Sequence, residues 1–312
     1  MIDARLHLAL DGGGLELPAE GTIAVFQPPR DSDLPGLDKD RVQIIHGFKP
    51  DYDAWAARGY NVVRTIKDRY AACIVCLPRA KAEARAVIAA ACEVCDGIVV
   101  IDGQKTDGAD SVLREMRDRV TVQGPISKAH GKMFWISEPA AEFFADWRQG
   151  PELTEGGFWT APGVFSADGV DLASALLVDA LPEKLGSEVA DLGAGWGFLS
   201  AHALTRPAIK NLYVVEAGHL ALECARRNVT DERASFHWED ATSWEPPHRL
   251  DGVIMNPPFH IGRAAEPQIG QAFVATAARI LSPQGKLWMV ANRHLPYEAE
   301  LKTRFAHVEE IG

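Results

Sequence analysis

The sequence predicts an α/β protein: a doubly wound parallel sheet in the second half, preceded by a second α/β domain. Three observations carry this. The apolar run Leu250–Met255 ends abruptly in Asn256-Pro257-Pro258-Phe259. Upstream, Val189-Ala190-Asp191-Leu192 runs straight into Gly193-Ala194-Gly195-Trp196-Gly197. Both read as buried parallel strands that finish in turns. In the first half, apolar runs at residues 22–26, 72–77 and 97–101 are interspersed with helical patterns at residues 80–92 and 111–119. Strand–helix alternation is the mark of an α/β domain.

Taken in order, the first half (residues 1–147) is expected to be that α/β domain, without a ligand site. Gly12–Gly14 precedes its nearest strand instead of following it, so it reads as a flexible turn and not a phosphate loop. Asp102-Gly103-Gln104-Lys105 follows a strand but lacks a Gly-x-Gly series. Residues 148–160, in a stretch rich in Gly, Pro and Trp with little periodicity, read as a linker. The second domain, residues 161–312, is regular. Its expected elements are a helix at 171–181, a strand at 188–192, a helix at 197–204, and a strand at 211–215 ending at Glu216. A helix follows at 219–229, with Arg226 and Arg227 where cations suit the helix dipole. Strands are then expected near 234–238 and 250–255, with a helix at 267–281, a strand at 285–291 and a helix at 297–305. A further strand is expected to begin at 308–311. Ligands of such sheets bind in the crevice at the carboxyl ends of the strands.

The 312 residues suit two domains. An apolar content of 47% and a charged content of 24% are those of a globular protein. No run approaches the ~20 apolar residues of a membrane helix, and the N-terminus has no basic-then-apolar leader. A cytoplasmic location and no membrane partner are therefore expected. The net charge of -11 argues against a uniformly basic nucleic-acid surface, so any such contact must be a local patch.

Cys73-x-x-Cys76 and Cys92-x-x-Cys95 show the spacing of some zinc sites. The first pair lies in an apolar strand, where residues three apart point to opposite faces and cannot share one ion. The second ends an alanine-rich helix. Core thiols, and no metal, are expected.

The glycines at 193, 195 and 197 let the backbone approach a ligand where a Cβ would collide. The dinucleotide fingerprint is Gly-x-Gly-x-x-Gly; here the spacing is Gly-x-Gly-x-Gly. S-adenosylmethionine has no pyrophosphate to hold, and its cationic amino-acid end suits a carboxylate such as Asp191. Glu216, followed by Ala217, suits two ribose hydroxyls. Asp240, followed by Ala241, is placed for the adenine amine. The Asn256 side-chain carbonyl and the Pro257 backbone carbonyl can bind both hydrogens of an exocyclic amine. That keeps its delocalised lone pair directed at a methyl sulfonium. Proline fixes the backbone so that these carbonyls need no reorganisation, and Phe259 offers a face for stacking a base. Together the two turns point to methyl transfer onto a planar amine. Cofactor contacts are expected from Asp191, Gly193, Ala194, Gly195, Gly197, Glu216, Ala217, Asp240, Ala241 and Asn256. Asn256, Pro257, Pro258 and Phe259 form the expected catalytic turn. His260, Arg263, Arg293 and His294 are candidates for the substrate, while Trp159, Phe165 and Trp196 either wall the cofactor or pack in the core.

Five segments occur in one order: Pro162-Gly163-Val164-Phe165-Ser166, Asp168-Gly169-Val170-Asp171, the glycine turn, Asn256-Pro257-Pro258-Phe259-His260, and Ala291-Asn292-Arg293-His294-Leu295-Pro296-Tyr297. The series resembles the bacterial small-subunit (16S) ribosomal RNA guanine-N2 methyltransferases, well over residues 161–305 and loosely before. The resemblance implies a class I (Rossmann-like) methyltransferase domain preceded by a degenerate methyltransferase-like copy that has lost its cofactor site. It also implies a ribosomal RNA or small-subunit partner. Relatives often carry Asp where Glu216 stands, and they continue into a final antiparallel strand beyond the point matching Gly312. The same turn also serves other acceptors, namely a large-subunit guanine, DNA adenine N6 or a protein glutamine amide. A non-catalytic assembly factor would have no reason to retain Asp191, the glycine turn and Asn256.

Overall fold

A computed structural model describes residues 2–311 except 139–140, 259, 262–263, 266 and 293–296, with no description of the side chains of 260–261, 264–265 and 267. The chain divides into two compact units, Met1–Gly150 and Pro151–Gly312.

The first unit runs α1 (Ile2–Leu10), β1 (Ile23–Phe26), β2 (Val42–Ile45), α2 (Lys49–Ala57), β3 (Asn61–Val63), β4 (Tyr70–Cys76), α3 (Lys81–Val94), β5 (Cys95–Gln104), α4 (Ala109–Arg117), β6 (Gln123–Lys128) and β7 (Gly131–Ile136). Its seven strands lie in the order β3-β2-β1-β4-β5-β7-β6. β7 runs antiparallel to both of its neighbours, and the other pairs are parallel. Both faces are covered, so the central strands are apolar throughout. Ile23 and Val25 point into one core while Ala24 and Phe26 point into the other. Only three of these seven strands were marked by apolar runs. β3 is three residues long and half exposed, and β6 is largely exposed, so neither carries a core pattern.

The cysteines lie as the strand argument requires: Cys73 packs in one core and Cys76 in the other, and all five thiols are free and buried. Among the described residues, no cluster of three or more His, Cys, Asp or Glu could hold a metal, and no helix is long and apolar enough to cross a membrane.

The second unit runs β8 (Glu152–Leu153), β9 (Trp159–Thr160), α5 (Leu172–Ala180), β10 (Glu188–Leu192), α6 (Phe198–Ala203), β11 (Asn211–Glu216), α7 (His219–Asn228), β12 (Ala234–Trp238), β13 (Leu250–Met255), β14 (His260–Ile261), β15 (Ala264–Ala265), α8 (Pro267–Ile280), β16 (Leu281–Met289) and α9 (Tyr297–Arg304). Five strands form a wholly parallel sheet in the order β12-β11-β10-β13-β16. Val189 faces one core, while Ala190 and Leu192 face the other.

Two expectations are corrected. The stretch read as a linker holds the β8–β9 hairpin, whose Trp159 is fastened to Asn228 of α7 by backbone-to-amide bonds of 2.7 and 2.8 Å. Sparse periodicity there reflects a short hairpin, not a free connection. Residues 308–311, expected to start a strand, are irregular. Among the described residues they pair with no strand, and Val308 and Ile311 are exposed.

Candidate active site

The site begins where β10 ends. The chain reverses through Gly193 (φ 72°), Gly195 (φ 57°) and Gly197 (φ 90°), all left-handed positions that favour glycine. A Cβ on Gly193 would lie 3.1 Å from the Phe273 ring and 3.9 Å from Pro258, so a side chain there would point toward the Asn-Pro-Pro turn. One on Gly197 would press Val229 and Ala225 of the α7 side, at 3.1 and 3.2 Å. Beside Gly195 there is open space. The turn is braced by its neighbour strand: Gly193 and Ala194 N–H donate to the Val215 carbonyl at 2.9 and 3.1 Å. Glu216 accepts the Gly195 N–H at 2.8 Å on one carboxylate oxygen and the Gly218 N–H at 2.6 Å on the other. Burial raises the Glu216 pKa, and those N–H groups partly oppose the rise.

Asp191 is fully buried at the end of β10. Ser200 of α6 donates to one oxygen at 2.6 Å, and the other oxygen has no partner among the described residues. Burial pushes its pKa up to about 7, the nearby Glu216 charge adds to the rise, and the Ser200 bond resists it. A buried carboxylate oxygen without a donor is costly unless a donor arrives from outside the fold.

Asn256 follows β13, which pairs with β10 in a register that sets Ile254 opposite Asp191. Its strand end therefore lies beside the glycine turn. The Asn256 side-chain nitrogen donates to Asp171 at 3.0 Å and to the Ser174 hydroxyl at 2.9 Å. Asp171 caps α5 by accepting the Ser174 N–H at 2.8 Å, the usual duty of an aspartate there. Pro257 is buried and Pro258 exposed. Phe259, Arg263, Arg293 and His294 lie outside the described residues. So does the side chain of His260, whose backbone pairs with Ala265.

β11 and β12 bring the remaining expected cofactor residues to the same edge, with Glu216 opposite Trp238. The Ala217 carbonyl accepts from Trp238 Nε1 at 2.8 Å. Asp240 accepts from the N–H and hydroxyl of Thr242 through one oxygen, at 2.8 and 2.7 Å, beside the buried Ala241. Trp196 is core: it packs between Phe158 and Phe198 at ring distances of 5.0 and 5.6 Å and donates to the Phe165 carbonyl at 3.0 Å. Phe165 itself is exposed.

Sequence reasoning missed four residues that hold this arrangement: Asp171, Ser174, Ser200 and Asn228. Asn228 accepts the Trp159 N–H and donates to the Trp159 and Trp196 carbonyls at 2.8 and 2.7 Å, tying hairpin to glycine turn. Only Asp171, directly before an apolar helical run, carried a local signal, that of an N-cap.

Residues 155–312, half of the chain, match the methyltransferase small domain family. The chain belongs to this family. Ribosomal RNA large subunit methyltransferase G of Shewanella amazonensis is 37% identical over 155 residues, covering 48% of this chain and 40% of that protein. Ribosomal RNA small subunit methyltransferase C of Hahella chejuensis is 29% identical over 213 residues, covering 62% and 60%. This methyltransferase small domain chain thus spans about half the length of the curated relatives it matches. The T. thermophilus 16S rRNA N2 G1207 methyltransferase, solved in complex with AdoMet and guanosine, aligns with a TM-score of 0.76. It is 24% identical, and the alignment covers 97% of this chain and 87% of that one. With the family match, this shared fold is the Rossmann-like class I methyltransferase fold.

Proposed function

We propose that this chain transfers a methyl group from S-adenosylmethionine to the exocyclic N2 amine of a guanine in 16S ribosomal RNA. The observation that carries the reading is the nearness of two turns: β10 and β13 are parallel neighbours, so the Asn256-Pro257-Pro258 turn ends beside the glycine turn. A methyl donor held by one and an amine held by the other would be neighbours, and proximity of that kind supplies much of a transfer's rate. The residues fit the cofactor. Three glycines leave the backbone approachable, the unpartnered Asp191 oxygen suits a cationic amine, and Glu216 and Asp240 stand at the next two strand ends.

When bound, S-adenosylmethionine supplies the electrophilic methyl group. Asn256 and the Pro257 carbonyl accept hydrogen bonds from the target amine and orient its lone pair. No strong base is needed, because the amine proton becomes acidic as the nitrogen acquires its substituent. The guanosine and AdoMet bound in the T. thermophilus relative support the same pairing of ligands.

We read the first unit as a copy of the methyltransferase fold that does not hold the cofactor. Its Gln27 N–H bonds the Ile45 carbonyl at 2.9 Å, just as Gly193 bonds Val215. By the same register, His46 stands where Glu216 stands and Cys76 where Asn256 stands. A buried Arg5–Asp102 pair lies at those strand ends. This unit would serve folding and RNA contact, and the substrate implies a cytoplasmic location. A guanine of the large subunit is the second reading, favoured by the 37% identity to methyltransferase G.

The test is transfer from labelled S-adenosylmethionine to ribosomal subunits from cells lacking the protein, followed by nucleoside mass spectrometry. N2-methylguanosine in the small subunit that vanishes with Asn256→Ala, with cofactor affinity held within a few-fold, is the expected result. Label in the large subunit favours the second reading, and label only in DNA or protein refutes both.

A further inference from the structure

The catalytic turn carries an asparagine, and an amide presents opposite hydrogen-bonding characters at its two ends. Which end meets the substrate decides what the site can accept. The contact at the other end answers this. The Asn256 amide nitrogen lies 3.0 Å from an Asp171 carboxylate oxygen and 2.9 Å from the Ser174 hydroxyl. These partners sit 85 and 82 residues earlier in the chain, on the first turn of α5 and its cap. An ionised carboxylate only accepts, so the NH2 end must face it. A reversed amide would set its oxygen against the carboxylate. The Asp171 oxygen is itself fixed, because it also accepts the Ser174 N–H at 2.8 Å, and the positive end of the helix favours its charge. Ser174 is buried, so its hydroxyl position is constrained too.

We infer that Asp171, with Ser174, is a positioning residue that fixes the Asn256 amide so that its carbonyl, and not its NH2, faces the target. The inference rests on the proposed amine methylation. With both amide hydrogens engaged, Asn256 offers substrate only an acceptor. It therefore admits a nitrogen that carries hydrogens and rejects a ring carbonyl or a bare ring nitrogen. A guanine edge presents all of these, and a two-residue latch outside the catalytic turn selects among them.

The test is Asp171→Ser. Serine caps helices about as well as aspartate, but its oxygen is one bond closer to the backbone and does not reach Asn256. Removing one preorganised polar contact near a reacting group costs about 100-fold or more when the contact is direct. Acting through Asn256, Asp171→Ser is expected to lower kcat about 10- to 100-fold. KM for RNA and the cofactor Kd stay within about threefold, and Tm is unchanged, because those quantities do not sense the direction of the amide. A second readout needs no turnover. In protein labelled with 15N-asparagine, the Asn256 NH2 signals are identified by their loss in Asn256→Ala. They should exchange slowly with water in the wild type and rapidly in Asp171→Ser.

If Asp171→Ser lowers Tm, Ser174→Ala keeps the cap and carries the same test, with an expected fall in kcat of about 3- to 10-fold. Unchanged kcat overturns the inference, as does a loss that falls equally on cofactor Kd, or NH2 exchange that ignores position 171. A wild-type chain that methylates no RNA sinks the proposed function instead, and leaves the exchange measurement to judge the latch.

Discussion

Asp191 should make the ligand-free fold pay for its site, and the effect can be isolated by Asp191→Asn. The carboxyl is fully buried, with one oxygen bonded to Ser200 and the other without a partner among the described residues. Its pKa in the fold is about 7, against about 3.9 in an unfolded chain. A folded-state value above the unfolded one means that the fold binds the proton more tightly. Stability is therefore highest below about pH 4, falls as pH rises toward 7, and levels off above it. The full span corresponds to about 4 kcal/mol. Asparagine has nearly the same shape and does not titrate. Its NH2 would remain unpaired at a cost of about 1–3 kcal/mol, but that cost does not vary with pH.

The stability difference between Asp191→Asn and wild type should therefore shift in favour of the variant by about 4 kcal/mol between pH 4 and pH 8. Denaturant titrations of both proteins at a series of pH values measure it, with native-state hydrogen exchange of the β10 amides as a local check. The same variant should bind S-adenosylmethionine more weakly at pH 8. A stability difference that stays constant across this range would refute the reasoning, since it would mean that Asp191 titrates alike in the folded and unfolded chain.

Two further outcomes follow from the glycine turn and its moorings. Gly197→Ala combines a left-handed alanine, costing about 1–2 kcal/mol, with a methyl pressed against Val229 and Ala225. It should lower Tm more than Gly195→Ala, whose methyl meets open space; equal losses would contradict the packing argument. Asn228→Ala removes bonds to Trp159 and Trp196 and strands a backbone N–H, costing about 2–4 kcal/mol. Limited proteolysis should then cut within residues 150–170, and unchanged protease resistance would show that the hairpin is held by other means.

The fold of the second unit was legible because its central parallel strands are rich in apolar residues and end abruptly in a glycine turn or an Asn-Pro-Pro turn. β10, β12 and β13 begin and end where the sequence places them. The first unit was harder for the converse reason. β3 and β6 bury little, and a strand that buries little leaves no pattern to read. Residues 308–311 were misjudged because two apolar residues flanking Glu309 and Glu310 are a weak strand signal, and both are exposed in the structure. In the site, glycines and the Asn-Pro-Pro turn stand out because backbone conformation restricts residue type locally. Ser174, Ser200 and Asn228 were silent because their meaning lies in bonds to Asn256, Asp191 and Trp159, which are 82, 9 and 69 residues away.

The brace that Glu216 makes across two loops bears on how a ligand would be received. Each of its oxygens already holds one backbone N–H, from Gly195 and from Gly218. A carboxylate offers about four acceptor positions, so roughly half remain for hydroxyl donors without either brace being broken. The two loops are thus fastened before any ligand arrives, and little chain disorder is left to quench on association. Arrival would be an addition to a finished socket, with the carboxylate that braces both loops keeping acceptor positions to spare.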